Sequence, residues 1–172
     1  MAEIHCMIDL ETLGNSHDAA IIQIGACVFD KKEILESCGL DIDFKSACFA
    51  GSVTGDTIQW WMQQDDAAIK SVSKPDGRMT IQSALYSFEE WCKQYEIEHF
   101  WAHATFDFPI LQNAYRAWDM TTPIHYRKCR DLRTAEFLLP DIERPEREGI
   151  YHDATSDAEY QAKCLQMMWA AA

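Results

Sequence analysis

Two acidic residues end the first apolar segment of the chain, in the stretch MIDLETLG. Side chains from residue 4 onward alternate between two faces, with Ile4, Cys6, Ile8 and Leu10 on one face and His5, Met7 and Asp9 on the other. A period of two residues is the pattern of a β-strand. Because alternate residues of a strand share a face, Asp9 and Glu11 stand side by side at the carboxyl end of this strand. The fold must therefore accommodate two neighbouring negative charges at the end of an apolar strand.

The remaining segments predict one α/β domain over residues 1–172, a length that suits a single domain. Apolar runs predict four further strands, and the turn Asp30-Lys31-Lys32 joins the second and third in a hairpin. Helical spacing of apolar residues predicts five helices. A hairpin followed by alternating helices and strands favours a mixed five-stranded sheet flanked by helices. The predicted strands are 4–10, 20–30, 33–44, 98–102 and 124–130, and the predicted helices are 57–64, 80–95, 106–118, 131–139 and 154–169.

Composition narrows the classes of partner. The formal net charge of −13 argues against tight wrapping of duplex DNA, which needs many Lys and Arg contacts to phosphate. It permits binding of a nucleic-acid end through metal ions, because cations reverse the local charge of an acidic site. The seven cysteines are scattered without a C-x-x-C pair, which is typical of free thiols in a reducing compartment. With no signal peptide and no apolar run long enough to span a membrane, we expect a cytoplasmic protein without a membrane partner.

Three more ionisable residues stand at the ends of predicted elements. Asp107 lies in ATFDFPIL and begins a predicted helix. In HDATSD, His152 lies in the loop before the last predicted helix, and Asp157 lies in the first turn of that helix. Crowded carboxylates attract hard divalent cations such as Mg²⁺ and Mn²⁺. Each feature also has a plainer interpretation. The pair in the first strand would be solvated acids at a strand end, and Asp107 would be an acid favoured by the helix dipole. The HDATSD segment would be a surface histidine beside a capping acid.

Taken in order, the motifs D-x-E, F-D-x-x-x-L and H-x-x-x-x-D resemble the DEDDh subgroup of the DnaQ-like 3′–5′ exonucleases, which have the ribonuclease-H-like fold. The segments MIDLETLG…AAIIQIGACVFD, TIQWWMQQ, RDLRTAEFL and YHDATSDAEYQA are similar to a prokaryotic and phage branch, the exodeoxyribonuclease-VIII-like and 3′–5′ exoribonuclease domains. This resemblance spans nearly the whole chain. It implies that the catalytic residues are Asp9, Glu11, Asp107, His152 and Asp157.

The resemblance implies a metal-dependent 3′–5′ exonuclease that releases nucleoside 5′-monophosphates. Two divalent cations, Mg²⁺ or Mn²⁺, would be held by the four carboxylates and would clamp the attacking and leaving oxygens. His152 would be the general base that takes the proton of the attacking water. RNA and DNA both fit this interpretation, and the small number of basic residues favours single-stranded or overhanging 3′ ends. A homodimer is a further expectation from the resemblance.

Residues that follow the first two acids match the stretch that lies against the terminal nucleotide in these families, namely Thr12, Leu13 and Gly14. Gly14 permits close backbone approach but also suits an ordinary turn. Leu13 would either wedge between bases or be buried in its loop. Only one of Trp60 and Trp61 can face a base, because adjacent helical residues point in different directions. We take Trp61 as the stacking residue, with core packing as the alternative.

Two other functions are compatible with parts of the pattern. A catalytically silent module of the same fold would bind nucleic-acid ends or a protein partner, but it would not require all five catalytic-type residues. A metal-dependent phosphatase of another fold would leave the order of the motifs without a reason. The densest basic cluster would meet either phosphates or an acidic partner, and it comprises Arg127, Lys128, Arg130 and Arg133.

Overall fold

A computed structural model describes residues 3–139 and 142–172 of the chain. Five strands form one sheet in the order β3-β2-β1-β4-β5. Strands β1 to β3 form an antiparallel meander, whereas β4 pairs in parallel with β1, and β5 pairs in parallel with β4. The predicted mixed five-stranded sheet is therefore confirmed. The strands are β1 (Ile4–Thr12), β2 (Ile21–Phe29), β3 (Ile34–Asp41), β4 (Ile97–Ala102) and β5 (Cys129–Asp131).

Seven α-helices and one 3₁₀ turn, at Tyr126–Lys128, flank this sheet within the described ranges. Five of the helices correspond to predicted ones, with bounds shifted by a few residues. None of the helices in the described part of the chain has the length and apolar character needed to cross a membrane. The helices are α1 (Phe44–Ala50), α2 (Gly55–Trp61), α3 (Asp66–Ser73), α4 (Ile81–Cys92), α5 (Asp107–Ala117), α6 (Leu132–Leu138) and α7 (Ala154–Ala171).

Sequence periodicity missed α1 and α3, and it misplaced two strands. The strand predicted over 33–44 was too long, because the Asp43 carboxylate caps α1 by accepting a hydrogen bond from the Ser46 amide at 2.9 Å. Asp65 caps α3 in the same way. The strand predicted over 124–130 begins only at residue 129, because the 3₁₀ turn occupies the preceding positions. Both missed helices are short, so their apolar pattern is weak and the capping aspartate is their clearest signal.

The two faces of β1 belong to two different cores. Cys6 and Ile8 pack in the larger core together with residues of α4 and α5. Met7 packs in the smaller core, where residues of α6 and α7 cover the opposite face of the sheet. This division confirms the alternation seen in the sequence, and it directs Asp9 and Glu11 toward the α7 side.

Two glycines in neighbouring strands let the start of α7 lie directly on the sheet. Gly25 pairs with Asp9 across β1 and β2, and it pairs with Gly39 across β2 and β3. A Cβ atom on Gly25 would stand 2.0 Å from the carbonyl carbon of Ala154, and one on Gly39 would stand 2.5 Å from Thr155 Oγ1. The missing side chains therefore form a notch that receives the first turn of α7 beside the acidic end of β1.

We expect Gly25→Ala to lower the free energy of unfolding by about 1–3 kcal/mol or more, because the added methyl group overlaps the backbone of α7. Urea denaturation followed by circular dichroism would measure this loss. Gly55→Ala is the matched control, because a Cβ atom there meets open space, and it should change stability by less than about 0.5 kcal/mol. Equal stability of the two variants would contradict a close contact between α7 and the sheet.

Candidate active site

A cleft of about 600 Å³ opens where the parallel strands β1, β4 and β5 end. The carboxyl ends of such strands are the usual position of sites in open α/β sheets. Side chains from β1, α5, α7 and the segment before α7 line this cleft together. The five residues that the sequence singled out all border it, namely Asp9, Glu11, Asp107, His152 and Asp157.

Three of the four carboxylates are almost completely buried. Asp9 is 8% exposed, Glu11 7% and Asp107 2%. Asp107 is fixed at the start of α5, where its carboxylate accepts a hydrogen bond from the His103 amide at 2.9 Å. Asp9 accepts one from Gln161 Nε2 at 2.7 Å. These few hydrogen bonds do not compensate for burying three neighbouring carboxylates.

Burial is the main cause of strongly raised pKa values in this group. It raises the pKa of Asp9 well above its usual range, and the charges of Asp107 and Glu11 add to the effect. Burial, followed by the charges of Asp107 and Asp153, raises the pKa of Glu11 to about 8. The pKa of Asp107 is raised to about 7, again mainly by burial. The ionised cluster is thus unfavourable unless positive charge reaches it.

One group of side chains could hold a metal ion. Ligand atoms of Glu11, His152 and Asp157 lie within 4.8 Å of one another. The Oε1 atom of Gln161 is buried beside them and has no hydrogen-bond donor among the described residues. Carboxylate and amide oxygens are the ligands that hard divalent cations prefer. The donor set of the cleft therefore fits Mg²⁺ or Mn²⁺, and a cation would relieve the repulsion between the acids.

His152 stands at the mouth of the cleft in a left-handed backbone conformation, with φ of 58°. Its ring centroid lies 4.7 Å from that of Trp60. Partial burial, with the nearby charge of Arg147, lowers the pKa of His152, so its imidazole is neutral near pH 7. The next residue, Asp153, caps α7 and accepts a hydrogen bond from Ser71 Oγ at 2.5 Å. This anchor on α3 holds the unusual backbone in place.

Of the four residues predicted to contact the substrate, the structure brings two to the cleft. Thr12 and Gly14 line it, whereas Leu13 is buried in the larger core. Trp61 is also buried, and its indole N–H donates a hydrogen bond to the Thr12 carbonyl at 2.9 Å. Trp60 borders the cleft and is 40% exposed. The geometry therefore favours Trp60 over Trp61 as a stacking surface for a base.

The predicted basic cluster is divided in the structure. Arg133, on α6, lines the cleft, but Lys128 donates a hydrogen bond to the carbonyl of Ile97 at 2.5 Å, at the start of β4. Arg130 donates to the carbonyl oxygens of Arg127 and Cys129. These three residues therefore serve local structure near β5 and lie outside the cleft.

The cleft residues that escaped the sequence analysis include Gln161 and Arg147. Gln161 follows Asp157 by one helical turn, so its place on the same face of α7 could have been inferred from spacing. Arg147 lies in an irregular segment and forms an ion pair with Asp157. No periodic pattern marks this arginine, and only the folded chain brings it to the acids.

Comparison with known proteins shows the family of the chain. The family model of the 3′-5′ exoribonuclease Rv2179c-like domain matches residues 4–169. An exodeoxyribonuclease of Enterobacteria phage T4 is 30% identical over 124 residues. That match covers 64% of this chain and 55% of the phage protein, so the chain spans about half the length of this curated relative.

Solved structures show the same fold at low sequence identity. The nuclease domain of 3′hExo, a DEDDh family member bound to rAMP, has a TM-score of 0.69 at 13% identity, covering 98% of this chain and 93% of that one. An Escherichia coli ExoI–ssDNA complex has a TM-score of 0.66 at 12% identity, covering 97% and 41%. Exonuclease X with 5′ overhanging duplex DNA has a TM-score of 0.53 at 15% identity, covering 96% and 91%. The ribonuclease-H-like prediction is thereby confirmed, and because the family model matches almost the whole chain, the protein belongs to the 3′-5′ exoribonuclease Rv2179c-like family.

Proposed function

We propose that the protein is a metal-dependent 3′–5′ exonuclease that releases nucleoside 5′-monophosphates from single-stranded or overhanging 3′ ends. The observation that carries this proposal is the meeting of four carboxylates and one histidine in a single cleft. These residues come from distant parts of the sequence. Their convergence at the end of the parallel strands is difficult to explain by solvation or helix capping alone. Membership of the family supports the same activity.

Two divalent cations, Mg²⁺ or Mn²⁺, complete the proposed site. Glu11 and Asp157, whose ligand atoms lie close together, would hold one of them with Asp9. His152 beside them would stay free of metal to act as a base. Asp9 would also face the second cation, with Asp107 acting through water. When bound, such a pair supplies an acidified water and positive charge for the attacking and leaving oxygens of an in-line displacement. The protein contributes a pocket of buried carboxylates whose mutual repulsion the bound cations would relieve.

His152 is the proposed general base. Its neutral imidazole can take a proton from the attacking water, and the left-handed backbone turns the ring into the mouth of the cleft. Asp153 positions it through the contact with α3. Trp60 would stack on the terminal base, while the backbone around Thr12 and Gly14 would approach the nucleotide.

The proposed substrates include both RNA and DNA. The family is named for exoribonuclease activity, whereas the phage relative is an exodeoxyribonuclease. The net charge of −13 favours short single strands, where a few phosphate contacts and stacked bases suffice. All five proposed catalytic side chains come from one chain, so the proposal treats residues 1–172 as one catalytic domain and does not require the homodimer. The seven free cysteines suit a reducing compartment, and we propose the cytoplasm.

With Mn²⁺, purified protein should shorten 5′-labelled single strands one nucleotide at a time from the 3′ end. Matched RNA, DNA and overhang duplexes, resolved by length, would give polarity and sugar preference together. Blunt duplex of equal length serves as the comparison, and it should be degraded more slowly. Binding without shortening of any strand would instead favour the catalytically silent module.

Two substitutions separate the proposed roles within the site. Asp9→Asn should abolish strand shortening, because it removes a ligand shared by both metals. His152→Ala should reduce the rate by about 10²- to 10⁴-fold, the usual contribution of a general base. Glu98→Gln, an exposed acid on β4, is the control and should keep full activity. Full activity in either site variant, measured with the same labelled strands, would contradict these roles.

Glu11 should make stability depend on pH. Between about pH 4.5 and 8 the unfolded chain loses this proton while the folded protein keeps it, so stability falls as pH rises, by up to about 1.4 kcal/mol per pH unit. Thermal unfolding in a chelator would show this decline. Mn²⁺ should raise the melting temperature increasingly over the same interval, because it binds the ionised carboxylate.

In Glu11→Gln, the decline with pH should become shallower and the stabilisation by Mn²⁺ should largely disappear. The Glu98→Gln control should behave like the wild type in both respects. Equal responses of wild type and Glu11→Gln to pH and Mn²⁺ would exclude Glu11 from the metal site.

A further inference from the structure

Arg147 brings a permanent positive charge into the acidic cleft. Its side chain is only 16% exposed, and it forms an ion pair with Asp157, which is itself 14% exposed. The guanidinium group thus places a cation directly beside the acids of the cleft. An arginine so deeply placed in a protein of net charge −13 needs an explanation beyond solubility.

Two aromatic rings hold the guanidinium group in position. Its central carbon lies 3.8 Å from the ring centroid of Tyr151 and 4.8 Å from that of Tyr160. Tyr160 stands three residues after Asp157 on α7, so the same helix supplies the anion and one of the rings. Stacking on tyrosine fixes the plane of the guanidinium group and leaves its edge free to donate hydrogen bonds.

The hydrogen-bonding capacity of Arg147 is not fully used. A guanidinium group has five N–H donors and no acceptor. The Nε atom of Arg147 is buried and has no acceptor among the described residues. A buried donor without a partner is destabilising, and an anionic oxygen would satisfy it. The unused donor therefore indicates a ligand that brings such an oxygen into the cleft.

Arg144 shows the contrasting arrangement in the same segment. It also lines the cleft, but its guanidinium group donates to Glu136 at 2.8 Å and its side chain is 57% exposed. An exposed ion pair of this kind contributes little to stability. Among the described residues, Arg144 has no buried donor atom that lacks an acceptor. Arg144 is therefore a suitable control for Arg147.

We propose that Arg147 binds the phosphate group of the terminal nucleotide. This inference rests on the proposed function, because a phosphate bound at metals held by Asp157 would lie beside the guanidinium group. Arginine suits the task, since its planar fork matches phosphate oxygens and makes strong charge-assisted hydrogen bonds. The residue lets an acidic protein hold a polyanion at one place without a broad basic surface.

The test titrates the protein with adenosine 5′-monophosphate in Mn²⁺, with adenosine in Mn²⁺, and with Mn²⁺ alone, by calorimetry. Arg147→Gln should weaken binding of the monophosphate by about 10- to 100-fold, the usual effect of a charge-assisted hydrogen bond. Its affinity for adenosine should stay within about twofold of the wild type. Its affinity for Mn²⁺ should not fall, because the substitution removes a positive charge beside Asp157. The monophosphate affinity of Arg147→Lys should lie between those of the wild type and Arg147→Gln, because lysine keeps the charge but lacks the planar guanidinium group. Arg144→Gln should bind all three ligands like the wild type.

Either of two results with Arg147→Gln would overturn the inference. One is unchanged monophosphate affinity in Arg147→Gln. The other is an equal loss for adenosine or for Mn²⁺ alone, which would mean that Arg147 only holds the cleft together. Thermal unfolding checks that the variants fold, and if Arg147→Gln does not, wild-type affinity in Arg147→Lys would equally overturn the phosphate role.

Strand degradation by the wild type, measured separately, distinguishes this inference from the proposed function. If the wild type degrades strands while Arg147→Gln keeps full monophosphate affinity, only the role of Arg147 is wrong. If the wild type degrades no strand but binds the monophosphate through Arg147, the exonuclease proposal fails and the phosphate site stands. A wild type that neither degrades strands nor binds the monophosphate overturns both.

Discussion

The first turn of α7 rests on the backbone of the sheet at Gly25, and the whole cleft depends on this contact. Gly25 lies opposite Asp9 in the sheet, so the helix that touches one necessarily approaches the other. That approach brings Asp157 and His152 to an acidic pair supplied by a strand nearly 150 residues earlier. Any side chain larger than hydrogen at Gly25 would separate the two halves of the site. The architecture of the site is therefore fixed by packing before any charge is considered.

Electrostatics works against the same arrangement. Three buried carboxylates with raised pKa values weaken the folded state at neutral pH, and few hydrogen bonds compensate them. The folded state remains stable because an apolar core packs on each face of the sheet and compensates for this cost. Arg147 offsets part of the negative charge at Asp157. The cleft is thus a locally unfavourable assembly maintained by its surroundings, as is common at functional sites.

Sequence patterns predicted the parts of the structure that follow a short-range rule. Alternation in β1 placed Asp9 and Glu11 on one face, and the order of motifs identified the fold. Other features depend on contacts between distant segments, which no local period records. Which of Trp60 and Trp61 borders the cleft depends on the rotation of α2 against β1, where the Trp61 indole meets the Thr12 carbonyl. Arg147 reaches the acids through an irregular segment, so its spacing carried no information.

The position of α7 has a consequence for the order in which the protein acquires its chemistry. A ribosome releases the segment carrying Asp9 and Glu11 long before residues 152–171 emerge. A nascent chain that has formed only the antiparallel meander would already carry two of the acids, but the histidine and the last carboxylate would still be missing. The cleft can close only when α7 settles into its glycine notch. Late docking of this helix would therefore delay the assembled site until most of the fold exists around it.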